Sequence, residues 1–278
     1  MIDGEDQARA LVARLEQRVE LLDARFEGAR IRWRRIGEGR PLVLLHGGNG
    51  SWLHWVRNIE ALAEGHQLWL PDLPGCGDSD ELAPPPTLER LVAALQHCVD
   101  DLIGAACEID LLGFSFGSVL ASNLALARGG VRRLALLGAT GHGQPRRPLA
   151  LRNWRALAPG AAQDQAHRHN LAELMLHEPA AVDALALLVH RSASERTHLR
   201  SKQISHTDAT RRALERLDLP VLLAWGEHDP TAGGARATAQ ALAQGRTDRQ
   251  WQVLSGAGHW VQYERAGEVN ALLARWFA

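Results

Sequence analysis

Three residues suited to nucleophilic catalysis stand at the ends of apolar runs in this chain. They are the serine of Gly-Phe-Ser-Phe-Gly (Ser115), the aspartate closing Gly-Glu-His-Asp (Asp229) and the histidine closing Gly-Ala-Gly-His (His259). A serine hydroxyl attacks a carbonyl poorly near neutral pH unless a base takes its proton. An imidazole is that base, and a carboxylate behind it fixes the tautomer and stabilises the imidazolium. The predicted chemistry is attack by Ser115 to give a tetrahedral adduct and then an acyl-enzyme, with His259 later activating water. Each residue also has a structural reading. The serine pentapeptide is also what a plain strand–turn–helix junction would use, and Asp229 also suits the cap of a helix beginning near Pro230. All three together, each just beyond a strand, favour the chemical reading, because open α/β sheets bind ligands at the carboxyl ends of their strands.

The elements that must position these residues are legible in the apolar pattern. "ARIRWRRI" alternates as a half-exposed strand, and "GEGRP" turns it. Apolar runs follow in "PLVLLHGG", "HQLWLPDLPG", "EIDLLGFS" and "VRRLALLGAT", and two more in "LPVLLAWGEHD" and "RQWQVLSGAGH". Helical stretches separate them, among them "TLERLVAALQHCVDDLIG" and "GSVLASNLALARGG". Strands apolar throughout, alternating with helices, predict an α/β fold: a mostly parallel central sheet with helices on both faces. Strand signals vanish between 142 and 217, where the pattern is helical, so a helical cap (142–217) is expected as an insert late in the sheet. The core is then 26–141 and 218–278. Leu11, Val12, Leu15, Val19 and Leu22 recur at helical spacing, which predicts an opening helix within 1–25, either a dimer contact or packed on the sheet.

Four motifs carry a resemblance: "HGGNGSW" after the first core strand, "PDLPGCGDSD" after the next, the "GFSFG" elbow, and "SGAGHWVQYERAGEVNALL" near the C-terminus. With the order Ser115, Asp229, His259 they resemble the cap-bearing α/β-hydrolases over roughly residues 26–278. The C-terminal motif, with His259-Trp260, is similar to hydrolases that cleave carbon–carbon bonds of ring-fission products. The chain departs from that group in having Phe114 where asparagine is usual and in lacking a proline in the loop after "LVLLHG". An oxyanion hole is implied from the backbone N–H of Phe116 and a second N–H of that loop, which the resemblance assigns to Gly48, with Asn49 close enough to compete. Dehalogenases and epoxide hydrolases are set aside, since they carry aspartate where Ser115 stands.

Other polar residues receive structural expectations. His46 is expected to pin its loop by hydrogen bonds, and His228 to face away from Asp229. Asp72, Asp78 and Asp80 are expected as turn and cap residues, and Cys76 has no neighbouring base. The seven histidines from His142 to His206 show no metal-ligand spacing. Trp52, Phe114 and Trp260 are the expected substrate-pocket residues, which favours a substrate with an apolar or aromatic part, although core packing is the competing reading for each. The insert carries twelve basic residues against seven acidic. A carboxylate-bearing substrate and simple solvated arginines explain that excess equally well.

Composition bounds the rest. The 278 residues are 46% apolar with a net charge of −1, which gives no basic footprint for nucleic acid or an anionic membrane. Three cysteines without pairing or metal spacing fit a reducing compartment. No secretory signal pattern or membrane-length apolar run is present, so a soluble, cytoplasmic protein is expected. No nucleotide-binding glycine fingerprint occurs and the chemistry needs no metal, so no cofactor is predicted. The expected partner is a small-molecule substrate, with oligomeric state open. Three functions remain: hydrolysis of a small to medium apolar carboxylic ester, carbon–carbon cleavage of a vinylogous diketo acid, and ligand binding or signalling on a hydrolase scaffold.

Overall fold

The computed structural model describes residues 4–278. Eight strands form one sheet: β1 (Glu20–Phe26), β2 (Ala29–Ile36), β3 (Arg40–Leu45), β4 (His66–Pro71), β5 (Ile109–Phe114), β6 (Val131–Leu137), β7 (Val221–Gly226) and β8 (Arg249–Leu254). Their order is β1-β2-β4-β3-β5-β6-β7-β8. β1 and β2 form an antiparallel hairpin and β2 runs antiparallel to β4, while the strands from β4 to β8 are parallel neighbours. The mostly parallel sheet expected from the apolar runs is therefore present.

Alternate residues of the central strands face opposite cores. Val43, Leu45, Leu111, Leu134 and Leu136 point into one, where α3 (Leu88–Val99) and α4 (Phe116–Arg128) pack. Leu42, Leu44, Leu112, Ala135 and Leu137 point into the other. That second core is covered by α1 (Glu5–Arg18), α2 (Ile59–Ala63) and, at the C-terminus, α10 (Val261–Glu264) and α11 (Ala266–Phe277). Strands buried on both faces have no polar side, which is why their sequences read as continuous apolar runs.

Between β6 and β7 the chain forms α5 (Ala161–Asn170), α6 (Ala184–Glu195), α7 (Lys202–Ser205) and α8 (Ala209–Arg216), and α9 (Ala235–Ala243) follows β7. Two boundaries differ from expectation. The opening helix stops at Arg18, Val19 adopts extended backbone, and Glu20–Phe26 is a strand. The cause is a two-residue turn at Glu27-Gly28, with φ of 50° and 86°, that pairs Phe26 with Ala29. Positive φ at both central residues suits a tight hairpin whose twist matches its strands. The other is at the end of the expected insert (142–217), where α8 packs on α4 and its Leu214 joins the core beneath the sheet. Helix α1 packs against α6 of the insert rather than standing free, burying Ala8 and Leu15.

The loop "PDLPGCGDSD" is organised by a buried ion pair. The Arg34 guanidinium donates to Asp72 Oδ2 at 2.9 Å and lies over the Trp52 ring at 4.7 Å. Asp72, fully buried, also accepts from the backbone N–H of Trp52 (3.0 Å) and of Asp78 (3.0 Å). The residue expected as a turn former thus ties β2 to two loops at the sheet's carboxyl edge. Arg34 would keep its second ion pair, with Asp78, but would lose one buried partner while the Trp52 and Asp78 amides lose their acceptor, so Asp72→Ala should lower unfolding free energy by about 2–3 kcal/mol. Equilibrium denaturation in urea of the two proteins measures the difference.

Candidate active site

Ser115 joins β5 to α4 with φ 53° and ψ −118°, a conformation a non-glycine residue rarely holds. The flanking glycines make it possible. A Cβ on Gly117 would lie 2.0 Å from the Leu45 carbonyl oxygen, and one on Gly113 would lie 2.6 Å from the Gly117 carbonyl oxygen. Strand and helix therefore meet at a distance that admits no side chain at either position. The Ser115 N–H donates to Leu137 O at 2.9 Å, and the Ser115 carbonyl accepts from the Ser118 N–H at 2.9 Å, which holds the corner from both sides.

The structure brings the three predicted residues together. His259 Nε2 lies 2.8 Å from Ser115 Oγ, and His259 Nδ1 lies 2.7 Å from Asp229 Oδ2. Asp229 Oδ1 accepts from both the N–H and the hydroxyl of Thr231, each at 2.8 Å. Burial pushes the Asp229 carboxyl up, but the facing His259 and the two Thr231 hydrogen bonds outweigh it and hold the group below its ordinary value. Asp229 is therefore a carboxylate able to orient an imidazole and stabilise its charged form. Sequence reasoning missed Thr231, although a threonine two residues after an aspartate is a recognisable turn signal.

Around Ser115, Gly48, Asn49 and Phe116 all border one cavity of about 630 Å³. Phe116 opens α4, so its N–H has no acceptor within the helix. The loop after β3 passes close by: a Cβ on Gly47 would sit 3.1 Å from Ser115 Cβ. His46 pins that loop as expected, donating from Nδ1 to Gly47 O at 2.8 Å and accepting at Nε2 from the Leu73 N–H at 2.9 Å. A second buried histidine, His54, accepts from the Gly47 N–H at 3.2 Å. No spacing rule marks His54 in the sequence.

The expected pocket needs correction. Phe114 lines the cavity, 5.1 Å from the His259 ring, but Trp52 and Trp260 do not. Trp52 is buried beneath Arg34. Trp260 stacks on Tyr263 at 4.3 Å and donates its indole N–H to His54 O at 2.9 Å. Both tryptophans shape the loops from behind. The cavity wall comes instead from residues 142–151 and 201–207 of the insert, with Leu174 and Met175. His228 points away from the triad and stacks on His177, ring centroids 3.6 Å apart. Cys76 is buried and its thiol is pushed up to about 12, chiefly by burial, which removes it as a nucleophile. Among the described residues no group of three or more histidine, cysteine or acidic side chains forms a metal-ligand cluster.

A family model described as the Alpha/beta hydrolase family matches residues 42–272. The chain belongs to this family. A 2-hydroxy-6-oxononadienedioate/2-hydroxy-6-oxononatrienedioate hydrolase of Paraburkholderia phymatum is 27% identical over 265 residues, covering 88% of this chain and 89% of that one. A dihydrolipoyllysine-residue acetyltransferase component of an acetoin cleaving system, from Pseudomonas putida, is 29% identical over 266 residues. That match covers 89% of this chain, which spans only 66% of that relative's length. Among solved structures, a carboxylesterase from Bacillus subtilis superposes with a TM-score of 0.76 at 19% identity, covering 99% of this chain and 95% of that one. A meta-cleavage product hydrolase from Pseudomonas fluorescens IP01 gives 0.74 at 22%, covering 94% and 98%. At those identities the two structures show a shared fold. No helix among the described residues is long and apolar enough to cross a membrane.

Burial beneath this site has a pH signature. His54 is held well below its ordinary value of 6.5, first by burial and then by the nearby His46, His190 and His259. In the unfolded chain it binds a proton near 6.5, while in the folded chain it stays neutral, so folding loses stability as pH falls below about 6.5. Each such histidine contributes a slope of about 1.4 kcal/mol per pH unit. Unfolding free energies measured from pH 7 to 5 should fall, and His54→Gln should flatten the fall by up to that slope.

Proposed function

We propose that this protein is a serine hydrolase acting on small to medium carboxylic esters through Ser115, His259 and Asp229. The observation that carries the reading is the unbroken hydrogen-bond chain from Ser115 Oγ through the imidazole to Asp229, beginning on a strained corner that opens into a cavity. Ser115 Oγ attacks the ester carbonyl carbon while His259 Nε2 takes its proton. The resulting oxyanion is held by the amides of Phe116 and Gly48. Collapse of the adduct expels the alcohol, which leaves with the proton from His259, and the acyl group stays on Ser115. Water then gives a proton to His259 and attacks the acyl carbon, and a second collapse releases the acid and restores the serine. Asp229 keeps the Nδ1 proton in place and stabilises the imidazolium in each half. Phe114, Phe116, Leu149 and Leu151 give the cavity an apolar side suited to a hydrocarbon chain or ring. Residues 142–217 serve in this reading as the cap that closes over it.

A second reading, carbon–carbon cleavage of a vinylogous diketo acid, is supported by the relatives that carry such names. They are the Paraburkholderia phymatum protein and a 2-hydroxy-6-oxo-6-phenylhexa-2,4-dienoate hydrolase of Comamonas testosteroni, 26% identical over 261 residues. The same triad serves both reactions, so substrate alone separates them.

Turnover of 4-nitrophenyl esters from acetate to decanoate should be multiple, peak at one chain length and disappear in Ser115→Ala. Asp229→Asn should lower kcat by about ten-thousandfold, because the imidazole then adopts the wrong tautomer. Absence of Ser115-dependent ester turnover, together with Ser115-dependent loss of the dienol absorbance of a ring-fission product, would replace the first reading by the second.

A further inference from the structure

The cavity above Ser115 has a mixed lining. Leu149, Leu151, Leu174 and Met175 are its apolar part. Arg146, Lys202 and His206 also line it, and no aspartate or glutamate does. Most arginines of the fold lie against a carboxylate. Arg147, next in the chain and also at the cavity, pairs with Glu173 at 3.4 Å. Among the described residues neither Arg146 nor Lys202, the chain's single lysine, enters an ion pair. The Arg146 side chain is half-buried and anchored by donating from one guanidinium nitrogen to the Ser205 carbonyl.

That arrangement leaves a half-buried cation in the cavity it shares with Ser115, without an ion-pair partner among the described residues. Burial lowers the pKa of Arg146, opposed by the attraction of Asp229, the one acid whose charge reaches it. Asp229 is already committed to His259 and Thr231 and contributes no contact to the guanidinium. A half-buried charge is disfavoured unless something pairs with it. The remaining N–H groups of a guanidinium anchored through one nitrogen match the two oxygens of a carboxylate. The ammonium of Lys202 adds a second positive charge to the lining.

We propose that Arg146, with Lys202 and His206, forms a carboxylate subsite, so that the substrate is an ester carrying a free acid group away from its scissile bond. The apolar part of the lining takes the hydrocarbon between the two. This rests on the ester reading given above and names the class of ester.

The experiment uses two matched pairs: the mono-4-nitrophenyl ester of adipic acid against its methyl 4-nitrophenyl diester, and 4-acetoxybenzoate against its methyl ester. The pairs place the carboxylate on the acyl and on the alcohol side. The acid member of at least one pair should have kcat/KM about tenfold or more above its neutral partner, consistent with a charge-assisted contact. Added salt should erode that preference. Arg146→Gln should reduce the acid-to-neutral ratio about tenfold, and Lys202→Gln, which removes no hydrogen bond of the fold, about threefold. Equal or higher activity on both neutral esters overturns the subsite and leaves the ester reading standing. If no compound shows Ser115-dependent turnover, the ester reading fails and the subsite is judged by titrating Ser115→Ala with sodium adipate. Saturable binding that Arg146→Gln weakens supports it, and an absence of saturable binding overturns it.

Discussion

The site depends on one contact with no room in it: α4 lies against β3 so closely that Gly117 faces the Leu45 carbonyl. That approach forces Ser115 into its positive-φ corner and fixes where its hydroxyl emerges. It also brings the loop that follows Leu45 alongside the serine, so the proposed nucleophile and the proposed oxyanion donors are set by one geometric condition. Strain of this kind costs on the order of 1–3 kcal/mol and persists only where the surroundings over-determine it. Here the surroundings are the fully buried β5, the buried last four residues of β3 and the hydrogen bonds that Ser115 makes at both its N–H and its carbonyl.

The charges around the site are arranged in layers. Behind the triad, Asp229 is fully served by His259 and two Thr231 bonds. Beneath the oxyanion loop, His46 and His54 are buried as neutral rings that give and accept single hydrogen bonds. Beside it, Asp72 neutralises Arg34 and holds two loop amides. His46, His54 and Asp72 each bond backbone N–H groups, so the loops that meet at Ser115 are held from below. Farther out, Asp183 caps α6, receives the Arg57 guanidinium at 2.6 Å and the Tyr263 hydroxyl at 2.5 Å, and so fastens the insert to the core.

Much of this was legible in the sequence, for identifiable reasons. A parallel sheet buries both faces of its strands, and continuous apolar runs report that directly. The grouping of Ser115, Asp229 and His259 was legible because these residues sit at strand ends bounded by glycines, where spacing carries geometric meaning. The β1–β2 hairpin was obscured because Val19 and Leu22 extend the helical spacing of Leu11 and Leu15, while the signal for the turn is only the pair Glu27-Gly28. Trp52 and Trp260 lie near the candidate site residues in sequence but away from the cavity in space, Trp52 on a short 3-10 turn under Arg34 and Trp260 stacked on Tyr263 at the start of α10. His54 and Thr231 act through single hydrogen bonds from loops, and α8 was assigned to the insert because its role in the core depends on a long-range contact with α4.

The wall of the cavity and the machinery of the triad come from different parts of the chain. Ser115, Asp229 and His259 follow β5, β7 and β8, whereas residues 142–151 and 201–207 form most of the wall. The first of these stretches contains no helix or strand, and the second holds only the single turn α7. Such segments tolerate substitution far better than a packed sheet does. Under the proposed function selectivity and reactivity are therefore separately heritable in this molecule: a lineage that exchanged these two stretches would acquire a new diet while keeping its inherited chemistry.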